Sequence, residues 1–267
     1  MLAHAAWSAP PAVLVPAAAA ALLFVHAWLR LRRRGRADLA GWDRLLLFAA
    51  GLAVVPAALV SPIDPLGEDD LLSMHMLQHV LIGDLGPALL VTAVRGPLLV
   101  FLLPAPVLAP FARSPLRRLL ATLLRPRVAF SLWALNLAVW HVPAFYDGVL
   151  THPLLHDAEH ACWTLAGVLV WTLLVDPGSH RRLGVGGRVA LAAAMFAAGQ
   201  VLTDVLVFSF SSLYPAYHGA YGLSAVTDQQ LAGIVMMVEQ LATLATCVAL
   251  LLRPGRRRDR AARLATA

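Results

Sequence analysis

Seven stretches of this chain are almost continuously apolar, at residues 12–30, 43–60, 71–93, 128–146, 154–175, 187–210 and 229–252. Each is about 17–25 residues long, enough for an α-helix rising 1.5 Å per residue to cross the roughly 30 Å of a bilayer's hydrocarbon core. The pattern predicts an all-α, polytopic membrane helical bundle of about seven transmembrane helices. An eighth apolar run, Pro97–Phe111, is shorter and is interrupted by Pro104, Pro106 and Pro110. Each of these prolines removes a helical hydrogen-bond donor.

Charge decides between seven spans and eight. Only 13% of the 267 residues are charged, about half the share found on soluble domains, so lipid replaces water around most of the chain. The formal net charge is +6, and all 21 basic residues are arginine. They fall in 30–44, 95–127, 181–188 and 253–263, whereas Asp64, Glu68, Asp69, Asp70, Asp147 and Asp228 fall in the intervening connections. Basic loops stay in the cytoplasm, so seven spans put every arginine inside, the N-terminus outside and the C-terminus in the cytoplasm. An eighth span would carry Arg113, Arg117, Arg118, Arg125 and Arg127 to the outside.

Residues 1–252 are therefore read as a single seven-span membrane domain, with 97–127 a cytoplasmic segment lying partly in the interface. Residues 253–267 form a basic cytoplasmic tail beginning at Pro254-Gly255 and facing anionic membrane lipid. Arginines sorted this way are orientation signals, so the positive charge does not point to nucleic acid. No basic region precedes the first apolar stretch, and no cleaved signal peptide is expected. Cys162 and Cys247 lie far apart within apolar runs; they make no CxxC pair and read as small core residues.

The candidate chemistry is in the ten histidines. His75 and His79 fall in the outer part of the third span, His141 near the outer end of the fourth, and His156 and His160 at the start of the fifth. His152 and His218 belong to outer loops, and His26 and His180 to the inner side. Ionisable groups within a bilayer are costly and usually functional. Two i,i+4 pairs each share one helix face, and with His141 they converge on one site below the outer surface. Imidazole suits copper, zinc and haem iron, and the adjacent thioethers of Met74 and Met76 favour soft Cu(I). These methionines lie about 100° to either side of His75, so at most one joins it. The metal site read from the sequence is thus His75, His79, His141, His156 and His160 with Met74 and Met76. Asp157 and Glu159 are either acids orienting imidazoles or acids suited to a helix N-terminus. Asp84, Gln200, Asp204, Glu239 and Gln240 read as buried polar residues; Asp84 and Glu239, deeper than the histidines, belong either to a proton path or, as no chain of carboxylates is evident, to hydrogen bonding between helices. Trp133, Trp140, Trp163, Tyr146, Tyr214, Tyr217 and Tyr221 read mostly as an aromatic belt and packing residues.

Several segments together resemble the CtaG family of cytochrome c oxidase assembly proteins, of the caa3-oxidase type. They are Ser61-Pro62-Ile63-Asp64, Met74-His75-Met76-Leu77-Gln78-His79, Trp140-His141-Val142-Pro143, Tyr146-Asp147 and His156–His160. Tyr214-Pro215-Ala216-Tyr217 and Asp228-Gln229-Gln230-Leu231-Ala232-Gly233 follow. The resemblance implies a multi-pass protein of the bacterial plasma membrane, serving the respiratory chain without being an enzyme. Its partners would be apo cytochrome c oxidase subunits and its cargo copper, bound transiently and assisted into the oxidase. Two other readings fit the same histidines: a membrane b-type cytochrome with bis-histidine haem, and a copper transporter. No HExxH or nucleophile-elbow motif points to a hydrolase.

Overall fold

The computed structural model describes residues 7–103 and 105–253. Pro104 and the tail beyond Arg253, including Pro254-Gly255, lie outside the described residues. The chain is all helical there, with no strand among the described residues. Helices α1 (Pro11–Arg33) and α2 (Trp42–Val60) are followed by a short α3 (Ile63–Asp69). The third span is composite: α4 (Leu72–Val80) runs through a π-helical turn at Leu81–Leu85 into α5 (Gly86–Ala93). Short helices α6 (Pro97–Leu102), α7 (Ala105–Arg113) and α8 (Pro115–Leu123) come next. They occupy the doubtful apolar run and its basic sequel, and none is long enough to cross a membrane. The remaining elements are α9 (Pro126–Trp140), α10 (Pro143–Leu150), α11 (Pro153–Val175), α12 (Val185–Phe208) and α13 (Ala225–Leu252).

Six of these units are long and apolar enough to span a bilayer, and α9 with α10 makes a seventh if the bent pair is counted as one. That pair is where the structure departs from the predicted span 128–146. Helix α9 stops at Trp140, and α10 leaves it at 78°. Pro143 is the cause: the residue before a proline is pushed out of the α region, and Val142 is extended, with φ −67° and ψ 120°. His141 therefore sits in a turn at the end of a helix, not within one.

Contacts between connections show that they alternate between the two ends of the bundle. At one end Arg44 donates to the carbonyl of Arg95, Arg95 pairs with Asp43 at 3.0 Å, and the Gly96 amide donates to Pro177 O at 2.6 Å. Arg182 reaches the carbonyls of Ala121 and Leu124 at the same end. At the other end Tyr217 donates to Gly67 O, Tyr214 to His141 O and Tyr221 to Asp70. The connections carrying Arg44, Arg95 and Arg182 thus share one end, and those carrying Gly67–Asp70, His141 and Tyr214–Tyr221 the other.

Helix α11 lies in the middle of the larger core, burying Trp163, Ala166, Val170, Trp171, Leu173 and Leu174. It packs backbone to backbone on the π-helical turn. A Cβ on Gly167 would collide with the carbonyl of Gly83 and stand 3.0 Å from Pro87, so only glycine permits this approach. A smaller core joins α1, α2 and α6 through Phe24, Trp28, Phe48 and Leu98.

Several residues sit differently from expectation. Cys162 is exposed on the bundle surface and Cys247 half-buried, both free thiols. Asp204 is also exposed, bonded by Gln200 at 2.7 Å, so it does not link helices. Tyr146, Tyr214 and Tyr217 are buried rather than belted at the interface. Their hydroxyls are consumed inside the protein, which a lipid-facing ring cannot achieve.

One long-range contact sets the start of α4. Its N-terminal amides have no local side-chain cap, yet helix starts leave several N–H groups without intrahelical partners. Asp228, at the start of α13 and completely buried, accepts from the amide of Leu72 at 2.6 Å and from the amide and hydroxyl of Ser73 at 3.1 and 2.5 Å. Asp228→Ala is expected to cost about 1–3 kcal/mol by leaving these donors unpaired. Thermal unfolding of the detergent-solubilised protein measures the loss, and hydrogen exchange should localise it to 72–75.

Candidate metal centre

Helices α4 and α11 present their histidines at matching positions. His75 and His79 are the fourth and eighth residues of α4, and His156 and His160 the fourth and eighth of α11. Because both pairs follow the helical period, each forms a vertical row on one face, and the two rows meet. Ring centroids are 4.4 Å apart for His75 and His79, 4.1 Å for His156 and His160, 5.3 Å for His75 and His156, and 5.5 Å for His79 and His160. All four are buried, and so is Glu159, from the same face of α11. Ligand atoms of His75, His79 and His160 lie within 4.8 Å of one another, as do those of His75, His156 and Glu159.

The hydrogen-bond network assigns the ring protons. Tyr217 Oη donates its one hydrogen to Gly67 O at 2.6 Å, so towards His75 Nδ1, 3.0 Å away, it can only accept. His75 therefore carries its proton on Nδ1, and its Nε2 lone pair can only accept, from His79 Nε2 at 2.9 Å. Burial pushes the Tyr217 phenol well above its ordinary value, so it keeps its proton and the relay persists at high pH. Gly67 is required here, because a Cβ would stand 2.9 Å from the backbone of His75. In the same way His156 Nδ1 donates to Glu68 at 2.9 Å, and its buried Nε2 has no partner. Next to His79, Gln78 donates to Ala58 O and to Asp64 at 3.0 and 2.6 Å. Burial holds the Asp64 carboxyl above the ordinary carboxylate range against that bond.

Besides His156 Nε2, the buried atoms without partners include His160 Nε2, His79 Nδ1 and both oxygens of Glu159. Unpaired buried polar atoms are costly, and the four on His156, His160 and Glu159 call for a common partner. A cation fits. With metal–nitrogen bonds of about 2.0–2.1 Å, nitrogens 2.9 Å apart subtend roughly 90° at a shared ion. Glu159 Oε1, 3.7 Å from His79 Nε2, supplies negative charge. The acceptors on the outer nitrogens of His75 and His156 are of the kind that orient metal-bound imidazoles.

The other residues read as ligands are placed apart. His141 packs its ring on Trp163 at 5.8 Å and points Nε2 at Met76 Sδ, 3.3 Å away. Met74 is half-buried and makes no polar contact with the cluster. His26, His152, His180, His218 and Asp157 are exposed. Below the histidines lies a cavity of about 50 Å³, lined by Met76, His79, His141, Asp84 and Glu239 among others. Sequence reasoning missed the roles of Tyr217, Glu68 and Asp228. Tyr217 and Asp228 both stand within segments that carry the family resemblance, which was the available signal; Glu68 had none, being one acid in an acidic run.

The fold and this site define a class: a multi-pass membrane protein with a buried histidine–carboxylate cluster at the end of the bundle opposite Arg44, Arg95 and Arg182. Over residues 22–257 the sequence matches the profile of the cytochrome c oxidase caa3 assembly factors (Caa3_CtaG). The chain belongs to that family, and the family together with the apolar helices makes it a protein of the plasma membrane. No curated protein and no solved structure matches it.

Tyr217→Phe removes the hydroxyl that accepts from His75 Nδ1 and is expected to weaken metal binding about 10–100-fold. Competition against a chelator measures this; unchanged affinity would mean that the relay does not orient His75.

Proposed function

We propose that this assembly factor binds copper transiently at His75, His79, His156 and His160, with Glu159 as the anionic neighbour, and assists its insertion into an apo cytochrome c oxidase subunit. The observation that carries the reading is the set of unpartnered nitrogens and oxygens on one buried cluster. The metal is cargo, not a resident catalytic group, and the role is non-catalytic. The arginine distribution supports an outside N-terminus and a cytoplasmic C-terminus. The cluster then opens towards the outer face, at the end where the exposed edge of Glu68 borders His156. Residues 97–127, with exposed Leu116, Leu119 and Leu120 beside Arg117 and Arg118 on α8, suit a cytoplasmic interface with anionic lipid.

A bis-histidine haem is disfavoured by space. Sites for such molecules are about 300–1,000 Å³, whereas the cavity beside the histidines holds about 50 Å³. A cavity of that size, with a few polar side chains on its wall, accommodates an ion or a water.

The test is metal content and a visible spectrum on detergent-purified protein, together with oxidase maturation in cells. Wild type is expected to hold copper without a Soret band, and His75→Ala/His79→Ala to lose both the copper and the maturation while remaining in the membrane at normal levels. A Soret band would establish a cytochrome instead. Loss of the double variant from the membrane would make the cluster structural, and copper uptake into vesicles would make the protein a transporter.

A further inference from the structure

His141 stands outside the four-histidine cluster, and its hydrogen bonding shows what it is prepared for. Its Nδ1 lies 2.8 Å from the carbonyl of Leu137, one turn back on α9. A carbonyl only accepts, so Nδ1 carries the proton and Nε2 of the neutral ring presents a lone pair. The atom facing that lone pair, at 3.3 Å, is the thioether sulfur of Met76. Sulfur in a thioether has no proton to give. Two buried lone pairs therefore confront each other with no hydrogen between them, on side chains only 7% and 1% exposed.

We infer that His141 Nε2 and Met76 Sδ form a second metal site, selective for the cuprous ion, on the cavity beneath the histidine cluster. The inference rests on the copper reading above for the identity of the metal. A soft monovalent ion between the two atoms replaces lone-pair repulsion with two bonds, and a thioether–imidazole pair favours Cu(I) over harder divalent ions. The histidines with Glu159 suit divalent copper or zinc equally well, so the two stations differ in the ion they prefer.

The surroundings fit a cation. Both donors line the cavity of about 50 Å³, which has room for an ion. Glu239 lines it too, and neither of its carboxyl oxygens has a partner. Asp84 stands beside it, held by Trp171 Nε1 and Thr243 Oγ1. Both carboxyls line the same cavity as the two donors. His79 belongs to both stations, with Nε2 in the cluster, the ring on the cavity wall and Nδ1 unpartnered at 3% exposure. Trp163 lies between them, its ring 5.3 Å from His79 and 5.8 Å from His141.

The test is anaerobic Cu(I) titration of the purified full chain against a competing chelator, with X-ray absorption at the copper edge. Wild type is expected to bind about two Cu(I) per chain, with a sulfur scatterer. Met76→Leu conserves volume and so keeps the fold; it should lose the sulfur scatterer and about one equivalent of Cu(I), while binding Zn(II) as wild type does. His75→Ala/His156→Ala, which spares His79, should keep the sulfur-ligated ion and lose the other. Absence of sulfur from the wild-type spectrum, or an unchanged Cu(I) count in Met76→Leu, would overturn the second site. A double-histidine variant that matches wild type in Cu(I) and Zn(II) would instead overturn the cluster reading and leave this site standing.

Discussion

A helix that begins inside a membrane protein has backbone donors that neither water nor its own turn can satisfy, and α4 is such a helix. Asp228 resolves this from 156 residues away, accepting from the amides of Leu72 and Ser73 and from the Ser73 hydroxyl. The rest of the site depends on that bond. Fixing where α4 starts fixes the rotation of its face, and His75 and His79 are carried on that face. The residue after Asp228 completes the seam: Gln229 accepts from the Leu213 amide and donates to the carbonyl of Leu206. The connection between α12 and α13 is thereby held down over the histidines, where Tyr214 and Tyr217 reach His141 O and Gly67 O.

A single logic recurs around the site. His75 gives its Nδ1 proton to a phenol, His156 to a carboxylate and His141 to a backbone carbonyl. In each case the outer nitrogen is satisfied by the protein and Nε2 is left with its lone pair facing inward. Three different acceptors on separate elements reach the same result. For His156 and His141 that lone pair meets no donor, and an unpaired buried acceptor costs free energy. The unmet valence is concentrated where a cation would meet it.

The helix geometry makes room for this arrangement. The π-helical turn Leu81–Leu85 interrupts the third span just below His79, and such turns reshape a helix locally at functional sites. Gly83 within it meets Gly167 of α11 backbone to backbone, which draws the two histidine-bearing helices together. Asp84, the next residue, is turned towards α11 and α13, where Trp171 and Thr243 hold it. Close approach on one side and a small cavity on the other come from the same turn.

Much of the architecture follows from the sequence alone. Apolar length against bilayer thickness yields the spans, and the sorting of arginine from aspartate and glutamate yields their alternation, because both are properties of single segments facing lipid or water. The i,i+4 spacing of His75/His79 and His156/His160 likewise makes each pair a row, since helical period is local. Which rows meet, and which atoms they turn to one another, is not local. The break at His141 needed the conformational demand of Pro143 to win over an apolar run that otherwise reads as continuous. The separation of His141 from the four-histidine cluster depends on where α9 ends beside α4 and α11, and Met76 meets it because it lies about 100° around α4 from His75. Glu68, Tyr217 and Asp228 act across 88, 142 and 156 residues of chain on His156, His75 and Leu72. Only tertiary packing brings such groups within hydrogen-bond range, so only the folded structure decides which nitrogen of each histidine is left free.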